Sequence, residues 1–170
     1  MAAIAYTDSL TGLKNRSAGM QMLEQGLATH YKDSCCVVAV IDFDHFKSIN
    51  DTYGHDVGDQ VLIAGANAMN DSLRGSDTVI RVGGEEFMII LPHTDKENAS
   101  TVLERVREAV ETTVVTLESG DIINPTVSIG ASASETNDDV SSIYRRADQA
   151  LYKAKHAGRN CIVWSDNAVS

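Results

Sequence analysis

Two apolar runs, Val79 to Val82 and Phe87 to Leu91, are separated only by Gly83-Gly84-Glu85-Glu86. A link that short, carrying a Gly-Gly pair, can join antiparallel strands but leaves no room for a crossover. The rest of the chain alternates helical and strand-like segments, so a hairpin inside the series rules out an all-parallel sheet. The expected fold is α/β (α+β): a mixed, mostly antiparallel central sheet of five strands flanked by helices.

The periodicities supply the other elements. Met20, Leu23, Leu27 and Tyr31 repeat at helical spacing after a polar, turn-prone lead-in that includes Asp8 and Asn15. Cys35 to Ile41 is continuously apolar and β-branched, as in a strand buried on both faces, and it ends at Asp42. A polar and aromatic stretch from Phe43 to Asp51 then leads into a helix with Val57, Val61, Leu62, Ala68, Met69 and Leu73 on its apolar face. A third helix carries Ala99, Val102, Leu103, Val106 and Val110; a polar link containing Gly120 leads to a strand near Thr126 to Ala131. The last helix presents Val140, Ile143, Tyr144, Ala147, Leu151 and Ala154, with Gly158 where a C-terminal cap belongs and Cys161 to Trp164 as a closing strand.

Charge narrows the function classes. With 14 Lys and Arg against 24 Asp and Glu, the net charge is −10, the wrong sign for neutralising a nucleic-acid polymer. A nucleotide remains compatible if divalent cations stand between its phosphates and the protein's carboxylates. Cys35, Cys36 and Cys161 have no metal-type spacing and read as reduced, buried thiols. No apolar run approaches a membrane span and the start lacks a signal-peptide pattern, so the expected setting is cytoplasmic, without membrane contact.

Several polar residues form a candidate site if the strand ending at Asp42 lies beside the hairpin. Asp42, Glu85 and Glu86 would then converge, and carboxylates of this kind hold magnesium against a triphosphate. Asp42 is equally the kind of residue that ends a strand in a turn, and the hairpin tip is equally a solvated acidic turn. Lys47 follows Asp42 closely, while Lys155 and Arg159 read as one helical turn apart at the end of the last helix. The latter pair can serve the helix dipole or clamp β and γ phosphates, with main-chain N–H groups of the Phe43 to Lys47 turn adding to the cradle. Asn50 and Asp59 combine an amide with a carboxylate, which can complement guanine or simply cap a turn and solvate a helix.

With these residues laid out, the chain resembles the GGDEF family of diguanylate cyclases, in its GGEEF variant. The likeness runs from Asp8-x-Leu10-Thr11-Gly12-Leu13-x-Asn15-Arg16 through Asp42-Phe43-Asp44-x-Phe46-Lys47-x-x-Asn50-Asp51 and Gly54-His55-x-x-Gly58-Asp59. It continues with Gly83-Gly84-Glu85-Glu86-Phe87 and ends with Ala150-Leu151-Tyr152-x-Ala154-Lys155-x-x-Gly158-Arg159-Asn160. Nearly the whole chain is covered, in order.

The resemblance implies a palm-like fold similar to nucleotide cyclases and polymerases, and condensation of two GTP into cyclic di-GMP with release of pyrophosphate. It implies magnesium, two ions per half-site with manganese as a substitute, on the Asp42 and Glu85 carboxylates and the Phe43 carbonyl. Glu85 would also activate the ribose 3′-hydroxyl, with Glu86 supporting metal or loop. Asn50 and Asp59 would read guanine, Phe46 and His55 would help hold substrate, and Lys47, Lys155 and Arg159 would contact phosphate. It further implies a twofold homodimer for catalysis, and an inhibitory site for cyclic di-GMP at Arg74 and Asp77 with Arg105 as a further contact. Arg74 and Asp77 are otherwise a surface Arg and an Asp preceding a strand.

In this frame residues 1–16 are a lead-in linker and wide turn, 17–165 the catalytic domain and 166–170 a tail. The chain then reads as the catalytic fragment of a longer protein with an upstream sensor or receiver domain. Two rival readings are a non-catalytic receptor for GTP or cyclic di-GMP, and a cyclase of relaxed base choice; the complete motif set weighs against the first and Asp59 against the second.

Overall fold

The computed structural model describes residues 5–30 and 35–165. Tyr31, residues 1–4 of the lead-in and the tail 166–170 lie outside the described residues. The central sheet comprises β1 (Val37–Phe43), β2 (Thr78–Gly83), β3 (Glu86–Leu91), β6 (Val127–Ala133) and β7 (Ile162–Trp164), in the order β2-β3-β1-β6-β7. All neighbours are antiparallel except β6 and β7, which gives the mixed, mostly antiparallel sheet expected.

β1 is central and buried at every position, which is why its sequence is apolar throughout rather than alternating. Val37, Ala39, Ile41 and Phe43 face α3 (His55–Asp71) and α4 (Lys96–Glu111), packing with Leu62, Met69, Leu103 and Val106. Val38 and Val40 face the opposite layer, where Leu23 of α1 (Arg16–Gln25) meets Ile143, Ala147 and Leu151 of α5 (Val140–His156). The result is helices on both faces of one sheet. Among the described residues no helix is long and apolar enough to cross a membrane.

Several local expectations are corrected. β1 begins two residues after Cys35 and ends one residue beyond Asp42, so Asp42 lies within the pairing, opposite Glu86. Most of Phe43 to Asp51 belongs to a separate helix, α2 (Phe46–Tyr53), which breaks from α3 at Gly54 with a φ of 94°. In α3 the buried alanine is Ala66, with Ala68 half-buried. The link around Gly120 contains a small second sheet of β4 (Val115–Thr116) and β5 (Ile122–Ile123), elements too short to leave a periodic signal. α1 passes into a π-helical stretch, Gly26–His30. All three cysteines are free, but only Cys36 is buried, its thiol pushed up to about 11 by burial; Cys35 and Cys161 are half-exposed.

The hairpin tip is Gly84-Glu85, not Gly83-Gly84. Gly83 pairs with Glu86 beyond a bulge between Arg81 and Gly83, and Gly84 takes a φ of 53°, a conformation that favours glycine. The lead-in is bonded to this tip. Arg81 Nε and Nη2 donate to the Gly84 carbonyl at 3.0 and 2.9 Å, and Arg81 Nη1 reaches Asp8 Oδ1 at 3.1 Å. Asp8 Oδ2 also accepts from the Thr11 amide at 2.9 Å and hydroxyl at 2.7 Å.

A Cβ on Gly130 of β6 would lie 2.1 Å from the Leu151 amide nitrogen and 2.2 Å from the Ala147 carbonyl oxygen, so Gly130→Ala must push α5 off the sheet. Urea unfolding should show a loss of about 3 kcal/mol; an unchanged midpoint would contradict this packing. For Asp8, burial raises the carboxyl, but the Thr11 hydrogen bonds and Arg81 outweigh it, holding the group below its ordinary value. A depressed carboxyl stabilises the fold above its unfolded pKa and loses that effect as pH falls through the folded one. Asp8→Asn should therefore cost about 1 kcal/mol at neutral pH, with the gap to wild type closing below about pH 4. A gap that stays constant to pH 2 would contradict the assignment.

Candidate active site

The site forms where β1 leaves the sheet. The β1–β3 register sets Asp42 opposite Glu86, and the Phe43 amide donates to the Glu85 carbonyl at 3.3 Å. The hairpin tip is thereby held against the carboxyl end of β1. Asp42, Phe43, Asp44, His45, Phe46, Lys47, Glu85, Lys155 and Arg159 line one cavity of about 180 Å³.

The charges in this cavity are arranged in opposition. Lys155 Nζ of α5 forms an ion pair with Asp42 Oδ2. Burial raises the Asp42 carboxyl, Lys155 works against that rise, and the charges of Glu85 and Glu86 add to it, leaving Asp42 above its ordinary value. A carboxylate in that position favours an added cation. Lys47 and Arg159 make no side-chain hydrogen bond or ion pair among the described residues. α2 begins at the cavity with no side-chain cap, after His45 at a φ of 55°. Its first-turn N–H groups are thus left for an acceptor.

Glu86 departs from the expected convergence of three carboxylates. Its Oε1 accepts from the Tyr144 hydroxyl of α5 at 2.5 Å, and burial followed by that bond pushes the Tyr144 phenol up. Its side chain is thus satisfied from α5, although its charge still acts on Asp42. Among the described residues no three His, Cys, Asp or Glu side chains form a metal cage. Asp42, Glu85 and the Phe43 carbonyl are nonetheless hard oxygen donors, and magnesium beside a nucleotide commonly takes one or two carboxylates plus phosphate oxygens and water. The donor set fits such an ion.

Arg159 is also placed differently from expectation. α5 ends at His156, and Arg159 lies beyond Gly158 in a turn with a φ of 65°. It still lines the same cavity as Lys155. Asn50 on α2 and Asp59 on α3 stand outside the cavity lining. The Asn50 Oδ1 is buried without a hydrogen-bond partner, and a Cβ on Gly58 would lie 1.9 Å from it. Only glycine at position 58 lets the Asn50 amide rest against α3. Asp59 and His55 are exposed on the same helix.

Away from the cavity, Arg74 pairs with Asp77 through Nε–Oδ2 and Nη2–Oδ1 contacts of 2.8 Å each, and Nη2 also reaches Thr94 Oγ1 at 2.8 Å. Arg105 of α4 donates to the Ser72 carbonyl at 3.0 Å, which places it on the same α3–β2 loop.

Sequence reasoning gave no role to Arg81, Tyr144, Asp44 or Asn160. Asp44 and Asn160 stood inside recognised motifs, and Asp44 proves buried, accepting from Thr126, Ser128 and the Asn160 amide. Tyr144 carried only its place on an apolar helix face, which hid its hydroxyl.

Comparison with known proteins matches residues 5–161 to the family model described as the diguanylate cyclase GGDEF domain. The chain is 44% identical over 157 residues to the diguanylate cyclase DgcP of Pseudomonas aeruginosa, covering 92% of this chain and 23% of that protein. It is 40% identical to the response regulator PleD of Caulobacter vibrioides, covering 94% of this chain and 36% of that protein. The chain thus spans less than half the length of these relatives. Among solved structures, the GGDEF domain of DgcB from Caulobacter crescentus in complex with c-di-GMP superposes with a TM-score of 0.92 at 33% identity, covering 98% of this chain and 97% of that one. By the extent of the family match, the chain belongs to the diguanylate cyclase GGDEF domain family.

Proposed function

We propose that this domain condenses two molecules of GTP into cyclic di-GMP. Each ribose 3′-hydroxyl attacks the α-phosphorus of the other nucleotide, the bond from that phosphorus to the bridging oxygen breaks, and pyrophosphate leaves; two such steps close the ring. The observation that carries this reading is one cavity joining Asp42 and Glu85 to three cations, Lys47, Lys155 and Arg159. Carboxylates beside two unpaired cations, Lys47 and Arg159, and a third, Lys155, already paired with Asp42, suit a metal-bound triphosphate.

At about 180 Å³ the cavity is smaller than the sites that enclose drug-sized ligands, roughly 300–1,000 Å³. It suits the phosphates and the reacting centre, with the nucleoside extending along α2 and α3. There the half-buried Asn50 contributes its amide to the base edge, and the exposed Asp59 accepts from guanine and disfavours an acceptor-rich edge. His55 and Phe46 bound that side. Magnesium, two ions per half-site, would be held by Asp42, Glu85 and the Phe43 carbonyl; it neutralises phosphate charge and acidifies the 3′-hydroxyl. Glu85 takes the hydroxyl proton, while Lys47, Lys155 and Arg159 steady the phosphates and the departing pyrophosphate, so the chemistry rests on positioning and charge. Glu86, held by Tyr144, buttresses the hairpin and adds negative charge beside Asp42.

A domain that binds one GTP needs a second to complete the ring, so two copies face each other about a twofold axis. The Arg74-Asp77 pair with Arg105 forms the product-binding inhibitory site, and an upstream sensor or receiver domain governs pairing.

Purified protein given GTP and magnesium should yield cyclic di-GMP, with specific rate rising with protein concentration or on fusion to a dimerising segment. Glu85→Gln should lower that rate by at least about a thousandfold while preserving the far-UV spectrum and Tm. Absence of product from a forced dimer, or a near wild-type rate in Glu85→Gln, would overturn the reading.

A further inference from the structure

Arg159 and Asn160 are consecutive non-glycine residues with positive φ, 65° and 47°. Backbone of this kind persists only where its surroundings hold it, and it concentrates at functional sites. Here the bonding is one-sided. The Arg159 side chain has no hydrogen bond or ion pair among the described residues, whereas the Asn160 amide and both polar atoms of its side chain are engaged.

The Asn160 amide donates to Asp44 Oδ2 at 3.0 Å, while Asp44, 6% exposed, also accepts from Thr126 Oγ1 at 2.7 Å and Ser128 Oγ at 2.6 Å. Asp44 is therefore a rigid acceptor at the end of β1. The Asn160 Oδ1 accepts from Arg107 Nη1 at 2.8 Å, and its Nδ2 donates to Glu111 Oε2 at 2.5 Å. Arg107 is oriented in turn by Glu104, with Nε–Oε1 and Nη2–Oε2 contacts of 2.7 Å each, and lies 3.3 Å from Glu111. α4 and α5 pack on opposite faces of the sheet. Asn160 staples the turn after α5 to α4 around the β7 edge.

We propose that Asn160, locked by Arg107 from α4, is a positioning residue that holds the Arg159 guanidinium over the cavity to receive the β and γ phosphates of the nucleotide. The inference rests on the proposed phosphate role of Arg159. A free guanidinium on a rigid turn loses less freedom on binding than one on a mobile loop, so the benefit of the staple appears as phosphate affinity. Arg107 reaches the ligand only through Asn160 and Arg159.

The test is calorimetric titration, at fixed magnesium, with a non-hydrolysable α,β-methylene analogue of GTP and separately with GMP, which lacks β and γ phosphates. Arg159→Ala should weaken the triphosphate analogue about tenfold. Asn160→Gly tolerates the left-handed backbone and keeps the amide on Asp44, removing only the side-chain links; it should weaken the analogue about threefold to tenfold, as should Arg107→Gln. In the Arg159→Ala background neither change should weaken it further, and GMP affinity should be unmoved throughout. If Arg159→Ala loses affinity but Asn160→Gly and Arg107→Gln do not, positioning is overturned and the staple only supports the fold. Full additivity in the double variants, or parallel loss of GMP, overturns it also. If Arg159→Ala binds the analogue like wild type, the phosphate role itself fails and the inference with it.

Discussion

The antiparallel pairing of β1 with β3 is the constraint on which the rest of this site depends. Its register sets Asp42 against Glu86 and brings the Phe43 amide onto the Glu85 carbonyl. Slipping that register by one residue would turn Asp42 into the opposite layer and the apolar residues of β1 with it. Burial on both faces of β1 forbids such a slip, so the same hydrophobic packing that forms the core also fixes where the carboxylates emerge.

Carboxylates gathered at the end of a buried strand need compensation. The protein supplies it in two ways. Asp44 is satisfied by neutral donors from β6, from Thr126 just before it and from the turn after α5, which makes it a structural anchor. Asp42 is met by the Lys155 ammonium but remains above its ordinary pKa under burial and its acidic neighbours, which leaves it suited to an incoming cation. Two aspartates separated by one residue thus take different tasks from their surroundings alone. The overall charge of −10 does not describe the cavity, where three basic side chains stand beside the carboxylates.

The hairpin is held from three directions: by β1, by Tyr144 through Glu86, and by the lead-in through Asp8 and Arg81. The last of these ties a segment near the start of the described chain to the main-chain carbonyl of Gly84. A displacement of the lead-in therefore reaches the hairpin tip through one side chain.

Residues whose role follows from local pattern were legible in the sequence: the unbroken apolar run of β1, the short glycine link that makes β2 and β3 antiparallel, the amphipathic faces of α3, α4 and α5, and the reduced cysteines. Motif spacing also identified Asp42, Glu85, Lys47, Lys155 and Arg159, which the fold brings to one cavity from β1, the hairpin, α2, α5 and the turn after α5. What local pattern could not carry was the partner of each polar group. Glu86 turns to Tyr144, Arg81 to Asp8, Asn160 to Arg107 and Asp44, across separations of 58, 73, 53 and 116 residues. Hydrophobic burial is non-directional and leaves a period in the sequence, whereas a hydrogen bond needs a partner at one distance and angle. The sequence by itself determined which segments must be buried and which residue types stand at their ends; only the tertiary structure decided which carboxylate stays open to a cation and which is already satisfied.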